Sequence, residues 1–343
     1  MRKSLIRWGI IGCGDVTEIK SGPALQKARG STLVAVMRRN GAKAADFARR
    51  HGVGKWYDDA ANLVADPEVD AIYVATPPAQ HEFYALMACG AGKPCYVEKP
   101  MARSAVEAGR MVQAFRDRKL PLFVAFYRRA LPRFVKAKEI IEGGELGAIA
   151  SASYTYRDSQ MARRANPVPW RLDAEQAGGG LFVDMGCHAL DLLDFFLGPL
   201  NDVAGKADSK ARQFDVEDFV ELTFTAAGGI TGKALFDFAS DQQEDRFVLR
   251  GDRGMIEFSC GTEGPLLVQT SGRPPEAVNV ETVPHVQQPL IQTVVDVLLG
   301  DSAPPAWIST GAVGLRTQQV MDQALVRFYG GRKDGFWKKN RNE

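Results

Sequence analysis

The feature that most constrains the fold is a glycine-containing turn between an apolar run and a helical stretch. The run covers residues 7–11, and the turn consists of Gly12, Cys13, Gly14, Asp15, Val16 and Thr17. In a βαβ unit, the first glycine of such a turn permits a sharp change of direction, and the second lets the backbone approach a pyrophosphate at the helix N-terminus. Thr17 stands where a third glycine is expected, so a plain structural turn remains the alternative.

Alternating elements extend this pattern over the first third of the chain. Apolar runs occur at 7–11, 32–37, 71–75, 95–97 and 122–125, and helix-like segments occur at 43–51, 62–65, 82–89 and 104–118. Short strands that alternate with helices are typical of a parallel sheet covered by helices. We therefore predict an α/β Rossmann domain over residues 1–126.

The remainder of the chain has a different character. Alternating β-rich stretches occur at 148–156, 217–225, 229–238, 246–250 and 254–258, with helices expected at 133–142, 181–197, 286–299 and 310–329. Gly228-Gly229 between two of the strands predicts a hairpin. We predict an α+β domain over residues 127–343 with a large, mostly antiparallel open sheet.

Composition excludes several classes of partner. The net charge of +2 is close to neutral, whereas proteins that bind nucleic acids or anionic membranes are usually far more basic. The five cysteines lack a C-x-x-C spacing, so we expect neither a disulfide framework nor a metal site. No apolar run approaches the ~20 residues that a membrane span needs, and no signal peptide is recognised, so a cytoplasmic location is expected.

The end of the second predicted strand bears on the cofactor. In NAD-binding domains an Asp or Glu at this point bonds the adenosine ribose hydroxyls. Here the strand ends at Met37-Arg38-Arg39 without a carboxylate. The Arg38 guanidinium can pair with a 2′-phosphate, which predicts NADP(H). NAD is the alternative if Arg38 is only a surface residue.

Three further segments carry polar or glycine residues where predicted strands end or a helix begins. They are Ala75-Thr76-Pro77-Pro78 with His81, Glu98-Lys99-Pro100, and Gly178-Gly179-Gly180 followed by Asp184 and His188. In this order and spacing they resemble the Gfo/Idh/MocA family of oxidoreductases, which includes glucose–fructose oxidoreductase and inositol dehydrogenase. The resemblance extends over essentially the whole chain.

The resemblance implies roles for these positions. It implies that Lys99 lies beside the nicotinamide and that the Lys99–Pro100 peptide is cis. The residues that it implies for cofactor binding, besides Arg38, are Gly12, Cys13, Gly14, Asp15, Val16, Thr76, Pro77, Pro78, His81, Glu98 and Lys99. It also implies that Tyr127 and Arg128, and Trp170 and Arg171, line the substrate cleft; an interdomain salt bridge is the alternative for Arg171.

The chemistry of three residues supports a catalytic interpretation. Lys99 follows a predicted strand at the carboxyl edge of a parallel sheet, where its charge can polarise a substrate oxygen. Asp184 and His188 are spaced i and i+4, so they share a helix face. The imidazole can act as general acid or base, and Asp184 can orient it or bind a second hydroxyl. An ordinary salt-bridged lysine and a structural polar pair are the alternatives.

These observations predict reversible hydride transfer between NADP(H) and a carbinol or carbonyl carbon of a sugar, polyol or related polyhydroxylated compound. An NAD-dependent, redox-assisted glycoside hydrolase and a non-catalytic, cofactor-dependent sensor or co-repressor are the alternatives. The apolar and polar residues of 219–224 and 234–238 alternate less cleanly than a solvated face requires. With the pairing that the resemblance implies, this predicts a homodimer or homotetramer formed through the second sheet.

Overall fold

The computed structural model describes residues 3–159 and 169–331, which form two compact units. The first unit consists of Met1–Ala102, Val106–Leu131 and Val283–Leu315, and the second consists of Arg103–Ala105, Pro132–Thr282 and Arg316–Glu343. Residues 283–315 therefore belong with the first unit although they follow the second sheet in the sequence. The contiguous boundary after residue 126 stays a prediction.

Strands and helices alternate along the described chain much as expected. The strands are β1 (Ile6–Ile11), β2 (Ser31–Met37), β3 (Lys55–Tyr57), β4 (Ala71–Val74), β5 (Cys95–Val97), β6 (Leu122–Val124), β7 (Ile149–Arg157), β8 (Asn201–Asp208), β9 (Phe219–Ala226), β10 (Ile230–Asp237), β11 (Glu244–Gly251), β12 (Gly254–Phe258), β13 (Leu266–Thr270) and β14 (Glu276–Val278). The helices are α1 (Gly22–Lys27), α2 (Gly41–His51), α3 (Ala60–Ala65), α4 (His81–Gly90), α5 (Ala105–Asp117), α6 (Pro132–Glu142), α7 (Ala174–Ala177), α8 (Cys187–Leu197), α9 (Gln288–Leu299) and α10 (Gly311–Leu325).

The first sheet confirms the predicted Rossmann topology. Within the described part of the chain it has six strands in the order β3-β2-β1-β4-β5-β6, and each neighbouring pair is parallel. Trp8 and Ile10 of β1 are buried in a core that also contains Leu290, Val294 and Val295 of α9. Because both faces of such a sheet are covered, β4, β5 and β6 are buried throughout rather than at alternate residues.

The second sheet is mixed but mostly antiparallel, as predicted. In the described ranges it has eight strands in the order β14-β13-β12-β11-β7-β10-β9-β8. β7 and β10 pair in parallel, and β9 and β10 form the predicted hairpin. The hairpin turns at Ala227–Gly229, where Gly228 and Gly229 have φ angles of 75° and 80° that favour glycine.

One face of the second sheet packs against α8. Val220, Leu222 and Phe224 of β9 are buried, whereas Glu221 and Thr223 between them are exposed. The strand period of two places these residues on opposite faces, and the predicted unevenness of residues 219–224 comes from Phe219. Phe219 begins β9 on the opposite face, where the Lys210 ammonium lies 3.6 Å from its ring centroid. Pairing of subunits through this sheet stays a prediction.

The described residues contain neither a membrane-spanning helix nor a cluster of metal ligands. No helix among them is both long enough and apolar enough to span a bilayer. In the same part of the chain, no group of three or more His, Cys, Asp and Glu side chains is placed to hold a metal ion.

Candidate active site

The glycine turn closes against the ends of two strands. The amides of Gly12 and Cys13 both donate to the Met37 carbonyl at the end of β2, at 2.9 and 3.2 Å. Gly12 has a φ of +95°, and a Cβ on it would lie 2.8 Å from Cγ2 of Thr76. The turn therefore requires glycine at position 12 both for its backbone conformation and for close approach to the loop after β4.

Thr17, which replaces the expected third glycine, has a structural role of its own. Its side chain is buried, and its hydroxyl donates to the Gly14 carbonyl at 2.7 Å. Thr17–Ser21 form a π-helical segment ahead of α1, and a Cβ on Gly22 would lie 2.3 Å from the Thr17 carbonyl oxygen. By contrast, a Cβ on Gly14 would meet only the Gly12 carbonyl oxygen, at 3.9 Å, so protein packing leaves space beside Gly14.

Arg38 lies at the carboxyl end of β2 and reaches the glycine turn. The residue is half-buried, and its Nη1 donates to the Cys13 carbonyl at 3.4 Å. Its backbone amide donates to the Tyr57 carbonyl at 3.2 Å. These contacts hold the guanidinium beside the turn, whereas the neighbouring Arg39 is exposed.

The loop after β4 is fixed by a buried histidine. Thr76 and Pro77 precede a short 3₁₀ turn, Pro78–Gln80, and His81 then begins α4. The imidazole of His81 is fully buried, with Nε2 2.7 Å from the Thr76 carbonyl and Nδ1 3.0 Å from the Pro100 carbonyl. Burial lowers the pKa of His81. The side chain thus joins the loops after β4 and β5, and its role toward a cofactor stays a prediction.

The Thr76 side chain differs from its neighbours in one respect. Its hydroxyl oxygen is buried and has no hydrogen-bond partner among the described residues. Since buried hydroxyls are normally paired, this oxygen is the kind of group that a bound ligand satisfies. It lies against the glycine turn, where the methyl group of the same side chain meets Gly12.

The segment after β5 contains a buried carboxylate and a cis peptide. Lys99–Pro100 is cis, as the resemblance implied. Oε1 of Glu98 accepts from Tyr73 Oη and from Gln287 Nε2, both at 2.6 Å, and Oε2 accepts from the Lys99 amide at 3.1 Å. Burial, together with the charge of Glu98, raises the pKa values of Tyr73 and Tyr96 well above their ordinary range.

Tyr127 and Arg128 follow β6 in a 3₁₀ turn, Tyr127–Ala130. Both are half-buried, and the Arg128 guanidinium carbon lies 5.7 Å from the Tyr127 ring centroid. Both lie in the first compact unit. The predicted residues of this unit therefore all follow carboxyl ends of strands in one parallel sheet, which is where such sheets bind ligands.

The triple glycine of the second unit is required by close packing. A Cβ on Gly178 would lie 2.6 Å from the Arg103 Cα, and one on Gly180 would lie 2.2 Å from the Glu217 carbonyl oxygen. The Glu217 side chain is buried: Oε1 accepts from the Gly180 amide at 2.8 Å, and Oε2 accepts from Tyr329 Oη at 2.7 Å. Glu217 thus fixes the start of the helix that carries Asp184 and His188.

That helix is not continuous as predicted over 181–197. Its first part, Phe182–Gly186, is π-helical and contains Asp184, and α8 begins at Cys187 with His188 in its first turn. π-Helical segments occur frequently at functional sites. His188 is 6% exposed, and the Asp184 side chain is 15% exposed.

Trp170 and Arg171, which were predicted to line the substrate cleft, form one cluster with Asp184. Nε of Arg171 lies 3.2 Å from Oδ2 of Asp184, and the guanidinium carbon lies 4.4 Å from the Trp170 ring centroid. Arg171 and this partner both lie within the second unit, and the role of Arg171 stays a prediction. Residues 160–168 of the preceding segment lie outside the described residues.

Sequence reasoning missed two buried polar residues that support these clusters. Gln287 bonds Glu98 from a distant part of the chain, and Glu217 bonds the triple glycine. Neither carries a local signal, because Gln287 lies within the predicted helix 286–299 and Glu217 within the predicted strand 217–225. Their partners are known only once the chain is folded.

Comparisons with known proteins agree with this geometry. The family model for an oxidoreductase family with an NAD-binding Rossmann fold matches residues 6–126, and the GFO/IDH/MocA C-terminal domain model matches residues 134–257. A protein of Formosa agariphila named Oxidoreductase P35 is 37% identical over 314 residues, covering 91% of this chain and 96% of that protein. Levoglucosan dehydrogenase of Pseudarthrobacter phenanthrenivorans is 34% identical over 160 residues, covering 47% of this chain and 41% of that protein.

A solved structure supports the fold. The complex of levoglucosan dehydrogenase with NADH superposes with a TM-score of 0.82 at 23% identity, covering 94% of this chain and 96% of that one. The fold, the glycine turn and the matched families define a nicotinamide-dependent oxidoreductase. Specifically, the chain belongs to the Gfo/Idh/MocA family.

Proposed function

We propose that the protein transfers a hydride between NADP(H) and a carbinol or carbonyl carbon of a sugar, polyol or related polyhydroxylated compound. The observation that carries the proposal is the position of Lys99, which follows a strand at the same sheet edge as the glycine turn. One relative is named for a dehydrogenase of levoglucosan, an anhydro sugar. This name supports a polyhydroxylated substrate class.

The residues present fit a dinucleotide. Packing leaves the space beside Gly14 open, and the buried Thr76 hydroxyl lacks a partner in the described chain. Gly12, Cys13, Gly14, Asp15 and Val16 would hold the pyrophosphate, and Thr76, Pro77, Pro78, Glu98 and Lys99 would flank the cofactor, with His81 behind them. The bound nicotinamide would supply or accept the hydride.

Arg38 supports NADP(H) over NAD(H). Its guanidinium lies beside the glycine turn, where a carboxylate of an NAD-specific protein would bind the ribose. A planar, permanently charged guanidinium can donate two parallel hydrogen bonds to a phosphate. NAD(H) is the alternative cofactor.

The remaining steps are assigned to Lys99 and His188. In oxidation, the His188 imidazole takes the hydroxyl proton from the substrate, and in reduction it returns that proton. The Lys99 ammonium donates to the same oxygen and stabilises its alkoxide character.

Asp184 and its neighbours would select and orient the substrate. The ion pair with Arg171 holds the Asp184 carboxylate in place, and we assign Asp184 to orient the His188 imidazole or to bind a substrate hydroxyl. Trp170, Tyr127 and Arg128 would line the substrate region. We also propose that subunits pair as a homodimer or homotetramer through the open face of the second sheet.

Replacing His188 tests the assignment directly. His188→Ala should lower kcat by roughly 100- to 10,000-fold, the usual contribution of general acid–base catalysis. NADPH binding, measured by fluorescence titration, should be unchanged. His285→Ala is the control, because His285 pairs with Lys27 in a separate part of the first unit. Unchanged turnover in His188→Ala would exclude His188 as the acid–base group.

A substrate panel identifies the reaction class. Sugars, polyols and carbonyl compounds would be assayed in parallel with NADP(H) and NAD(H), and net cofactor turnover is the expected result. Cleavage of a glycoside without net change in cofactor would indicate the redox-assisted hydrolase instead. Cofactor binding without turnover of any substrate would favour a sensor.

A further inference from the structure

We propose that Gln287 is a positioning residue that fixes Lys99 through the carboxylate of Glu98. This inference rests on the proposed role of Lys99 in polarising the substrate oxygen. Gln287 lies more than 180 residues from Lys99 in the sequence, yet it belongs to the same unit. None of the motifs in the sequence analysis includes it.

The Gln287 side chain is buried and both ends of its amide are used. The residue is 1% exposed, Nε2 donates to Glu98 Oε1 at 2.6 Å, and Oε1 accepts from Tyr96 Oη at 3.2 Å. Because the phenol donates to the amide oxygen, the NH₂ group is turned toward the carboxylate. The hydrogen bond from Tyr96 thus sets the orientation in which the Gln287 amide donates to Glu98.

Glu98 in turn has a fixed set of donors. Tyr73 and Gln287 both donate to Oε1, and the Lys99 amide donates to Oε2. A carboxylate that is 6% exposed depends on such donors, since water cannot replace them. Removal of the Gln287 amide would let the carboxylate rotate, and the Lys99 amide would then lose its acceptor.

The backbone of Gln287 is fixed at the start of α9. Gln287 occupies the N-cap position of α9, but its side chain does not cap the helix. Its carbonyl accepts from the Ile291 amide at 3.0 Å, and Leu290 and Ile291 are buried in the core of the first unit. The Gln287 side chain therefore bonds Glu98 at the sheet edge and not the backbone amides of α9.

Two variants and a control test the inference. Gln287→Leu keeps the volume and removes both hydrogen bonds, and we expect kcat to fall roughly 10- to 100-fold, as a displaced catalytic group causes, with the KM for cofactor unchanged. Gln292→Leu is the control: it lies on the same helix, but its amide bonds Arg29 and Asp296 near the surface. Equal kcat values for wild type, Gln287→Leu and Gln292→Leu would overturn the proposal.

Gln287→Glu gives a second, pH-dependent readout. The new carboxyl would face Glu98 and the phenols of Tyr73 and Tyr96, and two adjacent carboxyls share one proton. At low pH the protonated group can donate to Glu98 in place of the amide, so kcat should recover toward wild type as pH falls. A pH profile parallel to that of the wild type would contradict the proposal, and this variant carries the test if Gln287→Leu does not fold.

Hydrogen exchange separates this inference from the proposed function. The Lys99 amide should exchange at least about 10-fold faster in Gln287→Leu than in wild type, because its acceptor moves when Glu98 loses a fixed donor. This measurement needs no turnover. Unchanged exchange would refute the positioning role, whereas undiminished activity of Lys99→Met would refute the proposed function and leave the exchange result standing.

Discussion

The proposed preference for NADPH should depend on a single guanidinium. Arg38→Ala removes the group that the structure holds beside the glycine turn, 3.4 Å from the Cys13 carbonyl. Hydrogen bonds to charged groups contribute about 1.5–3 kcal/mol, which corresponds to roughly 10- to 150-fold in affinity. Because Arg38 is half-buried, solvent screens part of this interaction. We therefore expect the Kd for NADPH to rise by about 10-fold, near the lower limit of that range.

The assay is a fluorescence titration of NADPH and NADH against wild type, Arg38→Ala and Arg39→Ala. Arg39 is the matched control because it is the adjacent arginine and its side chain is exposed. Only Arg38→Ala should weaken NADPH, its effect should shrink at high salt, and the Kd for NADH should not change. Equal weakening of both cofactors, or an equal effect of Arg39→Ala, would refute the assignment of Arg38 to the 2′-phosphate.

Two further predictions concern the supports of the site and of the glycine turn. Gly180→Ala places a Cβ 2.2 Å from the Glu217 carbonyl oxygen, so it should lower the free energy of unfolding by about 1–3 kcal/mol. The same substitution should reduce kcat by a larger factor than it reduces the affinity for NADPH. Gly109→Ala is the control, because a Cβ there meets no atom within 4 Å. It should lower neither the free energy of unfolding, measured by denaturant titration, nor kcat, measured in rate assays. The hydrogen bond from Arg50 lowers the pKa of Glu18 from 4.5 to about 2, so the ionised form stabilises the fold above pH 4.5 and this stabilisation is lost as pH falls toward 2. Glu18→Gln should reduce the dependence of the free energy of unfolding on pH across that acid range, as measured by urea titrations at several pH values. An unchanged pH dependence in Glu18→Gln would contradict the prediction.

Elements with a strong local pattern could be predicted, and those that depend on pairing could not. β1, β2, β4, β5 and β6 are buried apolar runs, so the first sheet was recognisable from the sequence. β3 has three residues, of which Trp56 is exposed, and exists through its pairing with β2. β8 is a polar edge strand containing Gly205, and its pairing with β9 overrides its weak β-propensity.

The same distinction applies to the candidate site. Lys99, Asp184 and His188 were selected by the resemblance to the family together with their residue types and spacing, and their catalytic roles stay predictions. The π-helical segments at Thr17–Ser21 and Phe182–Gly186 were missed, because a π turn differs from an α turn by one residue and is set by packing around Gly22 and Gly180. The Glu98 network was missed because it joins residues far apart in the sequence.

The return of the chain to the first unit has a consequence for its synthesis. Leu290, Ile291, Val294 and Val295 fill the same core as Trp8, so the nascent N-terminal segment leaves the ribosome before residues 283–315, which cover its apolar face in the folded chain, have been made. Domains generally fold in order of synthesis, but here the unit that begins first is completed almost last. A cofactor module cut at residue 126 would lack both this cover and Gln287, so any transplant of the module must carry the later segment with it.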